Sequence, residues 1–496
     1  MRRNVLLLFV LIAVCVIVAC NSNNSVPPVL KTVDMSGIKF VDKTVEYNGA
    51  AQEITISGEL PDGVKVIYEN NTLTEPGKVE AVAKFKVPEG YNQVDDMVAV
   101  LTVTKGKIVL DGIQFRNDTY GYDGTEHSIS IRGELPEGYS VEYKENSATE
   151  VGNYKAEAYI SNGLYESILN AELTIDSRTV HRISNYEELV SELSDFAGKT
   201  QKTDLYVLVD NIDASETSKT NPWKSIGAYA GLKYDNGFQA EFNGQGYSIK
   251  NLYITQDSDT QKVTGYYTPG FFGGLAYASV HDLVFDSPTI DIAQYGIVNA
   301  GLIIGQSPVF TDIYNITVND MKMTVIALKQ ECGALIGYDQ QYGEKDQYTE
   351  AVNNGTHREF RRDNLCVNNL VYKATKAGAN ETDRIECSGI IGTFVDRGPA
   401  TYSNCSVTGT IEATTNGNPK APLYAGSIIA LVKNNTDQKV SLKLQNCKTS
   451  LDFEISGYKN NVFAKDLIGS YNSDWVDVSQ EECYFDGSLE INEIVE

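Results

Sequence analysis

A short apolar phrase bracketed by small residues, mostly glycine, recurs through the second half of the chain. Its instances end at Gly273, Gly305, Gly337, Gly392, Ala430 and Gly469. The spacings between these residues are 32, 32, 55, 38 and 39. Such periods are typical of solenoids, arrays and propellers, in which each repeat is one supersecondary unit. No repeat is long enough to bury its own apolar face, so we expect neighbouring repeats to stack.

A second phrase, a polar residue followed by an apolar residue or Cys, opens the strand-like pattern after each first phrase. Its members are Asp282-Leu283, Asn315-Ile316, Asn369-Leu370, Asn404-Cys405, Asn446-Cys447 and Glu482-Cys483. Equivalent positions in stacked parallel strands lie about 4.8 Å apart. We therefore predict a hydrogen-bonded amide ladder beside a buried column. The ladder residues are Asn315, Asn369, Asn404 and Asn446, and the column includes Cys405, Cys447 and Cys483.

The two phrases and their lead-in resemble the GLUG-motif repeats of bacterial surface proteins. The lead-in is Trp223-Lys224-Ser225-Ile226-Gly227 followed by the segment 242–252, and the resemblance covers roughly residues 204–487. It implies a parallel β-helical solenoid and an extracellular or cell-surface setting. It implies no catalytic residues.

The first third of the chain is an internal duplication with an offset of 75 residues. Tyr47-Asn48-Gly49 returns as Tyr122-Asp123-Gly124, and Tyr68 returns as Tyr143. Alternating apolar and polar positions separated by Pro-x-Gly turns predict a small β-sandwich in each copy, over 36–105 and 106–176. Both copies resemble the MBG-type, immunoglobulin-like repeats of bacterial surface proteins, which implies a spacer, with ligand contact as the alternative.

One amphipathic helix is predicted at the junction, over about residues 185–197. Ser184 and Glu187 have the spacing of a capping box, and apolar residues follow at helical intervals. A helix there would cover the open end of a solenoid that spans 177–496. The predicted fold class is therefore all-β, with two Ig-like modules, a capping helix and a parallel β-helix.

Residues 1–20 have the pattern of an export signal. Arg2 and Arg3 precede an apolar run that ends in Ile17-Val18-Ala19-Cys20, which resembles a bacterial lipobox. The resemblance implies acylation of Cys20 and a lipid anchor in a bacterial membrane, at the outer membrane or cell surface, with 21–35 as a polar tether. The alternative is an ordinary secretory leader with an accidental Cys.

The charge and the motif content exclude several function classes. A net charge of −25 argues against nucleic acid as a partner. The four His residues are scattered, and no zinc, phosphate-loop or nucleophile-elbow motif occurs. We therefore predict no cofactor, no metal and no catalytic residue. The six Cys after Cys20 are interpreted as stacked thiols, free or partly paired, with oxidation to disulfides as the alternative.

The long spacing after Gly337 marks an insertion of 23 residues, the difference between 55 and 32. Insertions in repeat proteins map to loops, often on the binding face. The residues that make it a candidate ligand-binding loop are Tyr342, Tyr348, His357, Arg358, Phe360, Arg361 and Arg362. Its basic run suits an acidic glycan or a partner protein, and the alternative is a solvated loop without a ligand.

Three functions remain compatible with these observations. The first is a membrane-anchored adhesion protein that presents the solenoid to glycan, mucin or protein. The second is a polysaccharide lyase or glycoside hydrolase built on the β-helix, since carboxylates are plentiful. The third is a purely structural envelope component. Architecture without a catalytic signature favours the first.

Overall fold

The computed structural model describes residues 29–194, 203–227, 237–255, 266–293, 296–306, 310–340, 353–354, 360–378, 383–396, 398–415, 420–434 and 439–494. These residues pack as two compact units. Within the described residues, the first comprises 29–113, Gly133–Glu142 and Tyr159–Ile168, and the second comprises Gln114–Arg132, Tyr143–Ala158 and the described part of 169–494. The module boundaries expected at 105/106 and 176/177 stay predictions.

Six short strands precede residue 105. They are β1 (Lys43–Glu46), β2 (Gln52–Glu53), β3 (Lys65–Glu69), β4 (Thr72–Leu73), β5 (Gly77–Lys86) and β6 (Met97–Thr104). Four of them form a sheet of order β1-β6-β5-β3, in which β1 runs parallel to β6 and the other pairs are antiparallel. The strict alternation in β5 turns Ala81, Ala83 and Phe85 inward, and all three are buried.

Seven strands follow in the second copy of the duplication. They are β7 (Gly106–Lys107), β8 (Asp118–Gly121), β9 (His127–Ser128), β10 (Ser140–Lys144), β11 (Ser147–Ala148), β12 (Gly152–Ser161) and β13 (Tyr165–Asp176). Their main sheet has the order β10-β12-β13-β7, and β8 pairs in parallel with β13.

The duplication extends to side-chain hydrogen bonds. The hydroxyl of Tyr68 accepts a bond from the backbone N–H of Ile56 at 2.9 Å. The hydroxyl of Tyr143 accepts the equivalent bond from Ile131 at 3.0 Å. Both pairs keep the offset of 75, so the repeat in sequence is also a repeat in local structure.

One α-helix, α1 (Tyr186–Ser194), lies between β14 (Val180–Ile183) and β15 (Leu205–Leu208). Its N-terminus is capped one residue later than the sequence suggested. Asn185 Oδ1 accepts the N–H of Glu188 at 2.9 Å, and the Glu188 carboxylate accepts the N–H of Ser184 at 2.7 Å. Leu189 is fully buried on the inner face of the helix. Residues 195–197 of the predicted helix lie outside the described residues.

Parallel strands fill the rest of the second unit. They begin with β16 (Ile212–Asp213), β17 (Glu241–Asn243), β18 (Ser248–Lys250), β19 (Tyr253–Thr255), β20 (Tyr266–Tyr267), β21 (Ser279–Asp286), β22 (Thr289–Ala293), β23 (Ile297–Val298), β24 (Ile304–Gln306), β25 (Asp312–Asn319), β26 (Lys322–Ala327), β27 (Lys329–Gly333) and β28 (Ile336–Asp339). They continue with β29 (Arg362–Lys376), β30 (Ile385–Ser388), β31 (Ile391–Asp396), β32 (Ala400–Ser403), β33 (Ser406–Thr414), β34 (Leu423–Gly426), β35 (Ile429–Asn434), β36 (Val440–Gln445), β37 (Lys448–Gly457), β38 (Val462–Ala464), β39 (Ile468–Ser470), β40 (Val476–Glu481), β41 (Tyr484–Phe485) and β42 (Leu489–Glu493).

These strands form three parallel sheets that the chain visits in turn. The large sheet runs from β14 to β42, the second has the order β20-β23-β27-β30-β34-β38, and the third has the order β24-β28-β31-β35-β39. One coil therefore passes through β25, β26, β27 and β28, and the next passes through β29, β30 and β31. The strand pattern is all-β and β-helix-like, as the repeated phrases predict.

The glycine phrases lie at the passage from the second sheet to the third, where neighbouring coils approach closely. A Cβ on Gly337 would lie 2.3 Å from the carbonyl oxygen of Gly305 in the preceding coil. A Cβ on Gly392 would lie 2.4 Å from the backbone nitrogen of Cys332. Real side chains do not tolerate such distances, so backbone packing between coils requires glycine there.

The apolar residues of the coils form one continuous core. Leu283, Ile316 and Leu365 occupy equivalent positions and are all fully buried. Among the described residues, no helix is both long and apolar enough to cross a bilayer.

Candidate binding site

An amide ladder runs along one corner of the coil stack. Asn315 Nδ2 donates to Asp282 Oδ1 at 2.8 Å, and Asn364 Nδ2 donates to Asn315 Oδ1 at 3.1 Å. All three residues have a left-handed backbone, with φ between 52° and 53°. Asn and Asp tolerate this conformation better than other residues with a Cβ, which explains why they recur at this corner.

In one coil the ladder position is occupied by Asn364 and not by the predicted Asn369. Ile316 pairs with Leu365, so Asn364 occupies the position expected for Asn369. Asn369 lies five residues further on, where its Nδ2 donates to Asp320 Oδ1 at 3.0 Å in a second left-handed corner. Both Asn364-Leu365 and Asn369-Leu370 match the phrase, and the insertion removed the spacing that would have distinguished them.

In the later coils a second run of ladder bonds starts from the carboxylate of Asp363, the residue before Asn364. Asn404 Nδ2 donates to Asp363 Oδ1 at 2.7 Å, and Asn446 Nδ2 donates to Asn404 Oδ1 at 2.6 Å. Cys405 and Cys447 follow these two Asn residues and are buried, whereas Cys483 in the last coil is half-buried. The strand register places the three thiols in successive coils.

All six cysteines of the described chain are free. Cys332 and Cys387 face each other in adjacent coils and are fully buried. Burial raises the pKa of Cys332 to about 12. The neighbouring thiol of Cys405 holds the pKa of Cys447 below its usual range.

The candidate loop after Gly337 is only partly within the described residues. Tyr342, Tyr348, His357 and Arg358 lie outside them, as does the predicted lipidation site Cys20. Phe360, Arg361 and Arg362 are described, and they do not share one solvent-facing surface.

Arg362 was expected on a binding loop, and the structure places it in the core. Its side chain is fully buried with Asp339, to which it makes two hydrogen bonds of 2.9 Å. Its Nη1 donates to the carbonyl oxygens of Thr311 at 2.6 Å and Arg361 at 3.1 Å, and its Nη2 also donates to the Thr311 hydroxyl at 3.5 Å. Tyr402 donates to Asp339 at 2.7 Å. A buried charge is stable only when it is paired and hydrogen-bonded. Arg362 therefore has no donor left for a ligand, and Phe360 is likewise buried.

Arg361 is the exposed basic residue among the described residues of this segment. Its guanidinium lies 3.7 Å from the ring centroid of Tyr314 and 2.9 Å from Asp363. Because Asp363 balances its charge, Arg361 does not create a basic surface for an acidic glycan.

A second charged network lies beneath Tyr314. The His281 ring stacks on Tyr314 at 4.6 Å, and its two nitrogens contact Asp282 at 2.7 Å and Glu241 at 3.1 Å. Burial alone would lower the pKa of His281, but the hydrogen bonds to Asp282 and Glu241 outweigh it and raise that pKa. Arg178 forms a further ion pair with Glu241 at 2.9 Å.

Sequence reasoning missed a pair of carboxylates in adjacent coils. Glu331 pairs in register with Glu386, and both side chains are almost completely buried. Lys433 lies 2.5 Å from Glu331, Lys329 lies 2.7 Å from it, and Arg384 pairs with Glu386. The sequence does carry a signal for this pair. Cys332 and Cys387 occupy the same position relative to the glycine phrases, and a Glu precedes each of them.

The environments of the two carboxylates push their pKa values apart. Burial raises the pKa of Glu386. Burial alone would also raise the pKa of Glu331, but Lys433 and Lys329 outweigh it and lower that pKa to about 2. Such a split is the arrangement that acid–base catalysis uses, although it also occurs in structural ion-pair networks.

A polar cavity of about 600 Å³ opens beside the first part of the amide ladder. Asp282, Asn315 and Asn364 line one side of it, and Asn117 and Glu172 line another. All of these residues belong to the second unit. The cavity is the place where polar groups from distant parts of the sequence converge, which is the usual property of a ligand site.

No groups of three or more His, Cys, Asp or Glu side chains with metal-binding geometry occur within the described ranges.

Comparison with known proteins assigns the chain to no family. No protein-family model and no curated protein matches the chain. Among solved structures, a fragment of the titin I-band matches at 14% identity over 30% of this chain and 70% of its own, with a TM-score of 0.14. An endo-fucoidan hydrolase of glycoside hydrolase family 107 matches at 10% identity over 27% of each chain, with a TM-score of 0.09. Likenesses at these TM-scores bear on neither fold nor function.

Proposed function

We propose that this chain is a membrane-anchored envelope protein that binds a glycan, mucin or protein ligand through its β-helix-like unit. In this proposal the acylated Cys20 holds the chain to a bacterial membrane, the Ig-like module at 36–105 acts as a spacer, and the module at 106–176 also contributes Asn117 and Glu172 to the cavity. Helix α1 covers the first coil.

The polar cavity beside the amide ladder carries the proposal. Its volume of about 600 Å³ falls in the range of about 300–1,000 Å³ that is typical of small-molecule sites. The ladder hydrogen bonds fix the side chains of Asp282 and Asn315, so the wall of the cavity is preorganised. Preorganisation lowers the entropic cost of binding.

The test uses the full chain reconstituted in vesicles and applied to arrays of glycans, mucins and matrix proteins. We expect saturable binding to at least one class. A Cys20→Ala variant should appear in the soluble fraction of the producing cells, whereas the wild-type chain should stay with the membrane. Absence of binding across all three panels would contradict the proposal.

A second candidate function, cleavage of a polysaccharide, rests on Glu331 and Glu386. Adjacent coils are about 4.8 Å apart, close to the about 5–5.5 Å between the carboxyl groups of retaining glycosidases. However, the described cationic neighbours cover both carboxylates, so a substrate would have to displace Lys433 or Arg384. Release of reducing or unsaturated sugar ends from acidic polysaccharides, abolished in Glu386→Gln, would favour this candidate.

A further inference from the structure

The cavity beside the amide ladder has two walls of different origin. One wall is built by β13, with Glu172 and Thr174, and by Asn117 and Thr119 at the start of β8. The other is built by β21 and β25, with Asp282, Asn315 and Thr317. Thr119 of the first wall is joined to Gln245 by a hydrogen bond of 2.9 Å, which holds the two walls together at one end.

Three groups that face the cavity have unused hydrogen-bonding capacity. Glu172, Thr174 and Thr317 are half-buried, and their side chains make no hydrogen bond or ion pair with the described part of the chain. Together they offer one strong acceptor and two hydroxyls that both donate and accept. Partly buried polar groups gain most when a ligand supplies the missing partners.

The charge of the lining selects against anions. Glu172 and Asp282 are the charged residues among the described residues of the lining, and no Lys or Arg accompanies them. Asp282 is already engaged by His281 at 2.7 Å and by Asn315 at 2.8 Å, so Glu172 is the carboxylate that a ligand can reach. A uronate, sulfate or sialate would be repelled, whereas a sugar hydroxyl can donate to Glu172.

We propose that this cavity binds a neutral saccharide of about one or two sugar rings, held by Glu172, Thr174 and Thr317. The inference rests on the proposed binding function. It narrows the proposed ligands, which were glycan, mucin or protein, to neutral saccharides. It also moves the expected ligand from the basic run after Gly337 to the amide ladder, because Arg361 and Arg362 are both already paired with carboxylates.

The experiment is ligand-observed NMR with the full chain and two matched panels. One contains neutral di- and trisaccharides of glucose, galactose, mannose and N-acetylglucosamine. The other contains the same sugars with a terminal uronate or sialate. We expect saturation transfer from the protein to at least one neutral member, weaker or absent transfer to its acidic counterpart, and competition between neutral members.

Two variants assign the binding to the cavity. Glu172→Gln should weaken the affinity about tenfold, because a hydrogen bond to a carboxylate becomes a weaker bond to a neutral amide, and Thr317→Val should weaken it about threefold, because the hydroxyl is lost. The controls are Glu454→Gln and Thr324→Val, which lie on the large sheet outside the cavity lining and should leave the affinity unchanged. Circular dichroism verifies that each variant is folded.

Three results would overturn the inference. They are no transfer to any neutral sugar, preference for the acidic panel, or neutral binding that Glu172→Gln and Thr317→Val leave intact. The first two are compatible with a mucin or protein ligand on the arrays, so the inference can fail while the proposed function stands. Absence of any ligand on the arrays would remove both.

Discussion

At the scale of single residues, the left-handed corner of each coil has the strongest requirement on side-chain type. Asn315 combines a φ of 52° with hydrogen bonds to Asp282 and Asn364. The backbone requirement alone would be satisfied by Gly, whereas the ladder requires an amide. These two contributions can be separated by substitution.

We expect Asn315→Ala to destabilise the second unit by about 2–4 kcal/mol, because it adds left-handed strain to the loss of two hydrogen bonds. Asn315→Gly should cost about 1–2 kcal/mol, because only the bonds are lost. Urea unfolding followed by tryptophan fluorescence measures both, since the two Trp residues of the chain, Trp223 and Trp475, lie in the second unit. Equal effects of Ala and Gly would show that the corner is unstrained.

His281 predicts a pH dependence at the same scale. Its folded-state pKa is raised above the ordinary value of 6.5, so its contribution to stability is fully present below pH 6.5 and is lost as pH rises through the folded pKa. The free energy of unfolding of the second unit should therefore fall on going from pH 6 to pH 9. His281→Gln should flatten that slope, and an unchanged slope would contradict the assignment.

The sequence predicts the position of a residue correctly when only one structural role explains its type. The prediction fails when two roles would select the same type. Asn after a glycine phrase marks a left-handed corner, as at Asn315, Asn404 and Asn446. The coil of Asn315 and the coil of Asn364 each have two such corners, at Asn315 and Asp320 and at Asn364 and Asn369, so the sequence alone does not distinguish Asn364 from Asn369. Arg362 failed for a related reason, because a basic residue next to an insertion looks the same whether it faces solvent or a buried Asp339.

At the scale of elements, the glycine phrase sets how closely coils can stack. Its middle residues, such as Leu302 and Leu335, are buried in the core, while its outer glycines meet the backbone of neighbouring coils. The phrase is recognisable in the sequence because the coils repeat both requirements, buried apolar residues in the middle and glycine where backbones pack closely. The strand bounds were less predictable. The single strand β29 pairs with both β25 and β26 of the preceding coil.

We expect Gly337→Ala to destabilise the second unit by about 1–3 kcal/mol, because the new Cβ overlaps backbone that cannot move aside. The nearest atoms are the oxygen of Gly305 at 2.3 Å and the nitrogen of Ala300 at 2.7 Å. Gly152→Ala is the matched control in the same unit, since its Cβ would approach no atom closer than 3.4 Å. The same urea titration compares them, and a neutral Gly337→Ala would show that the coils are less tightly packed.

At the scale of the whole molecule, the all-β class and the stacked parallel strands of the second unit followed from periodicity in the sequence. The cavity did not, because its walls come from segments around Glu172 and around Asn315, more than a hundred residues apart, and no local pattern links them. The pair Glu331 and Glu386 was hidden in the same way. Sites assembled by stacking become visible only when the register between coils is known.

The register between coils is therefore the claim on which the ladder and the cavity depend, and Cys366 provides a direct test. Thr317 lies opposite Cys366 in the adjacent coil. A spacing of about 4.8 Å between paired strands lies within the about 4.4–6.8 Å between Cα atoms that a disulfide spans. Thr317→Cys should accordingly form a disulfide with Cys366 under mild oxidation, detected by mass spectrometry of non-reduced peptides.

The control is Asn319→Cys, which faces Asn368 rather than Cys366 and should not form that disulfide efficiently. If the coils were instead aligned through Asn315 and Asn369, Thr317 would lie opposite Val371 and no link to Cys366 would form. A strong disulfide in Thr317→Cys and little in Asn319→Cys is the result that we predict. The reverse pattern, or no link in either variant, would contradict the register and with it the amide ladder and the cavity.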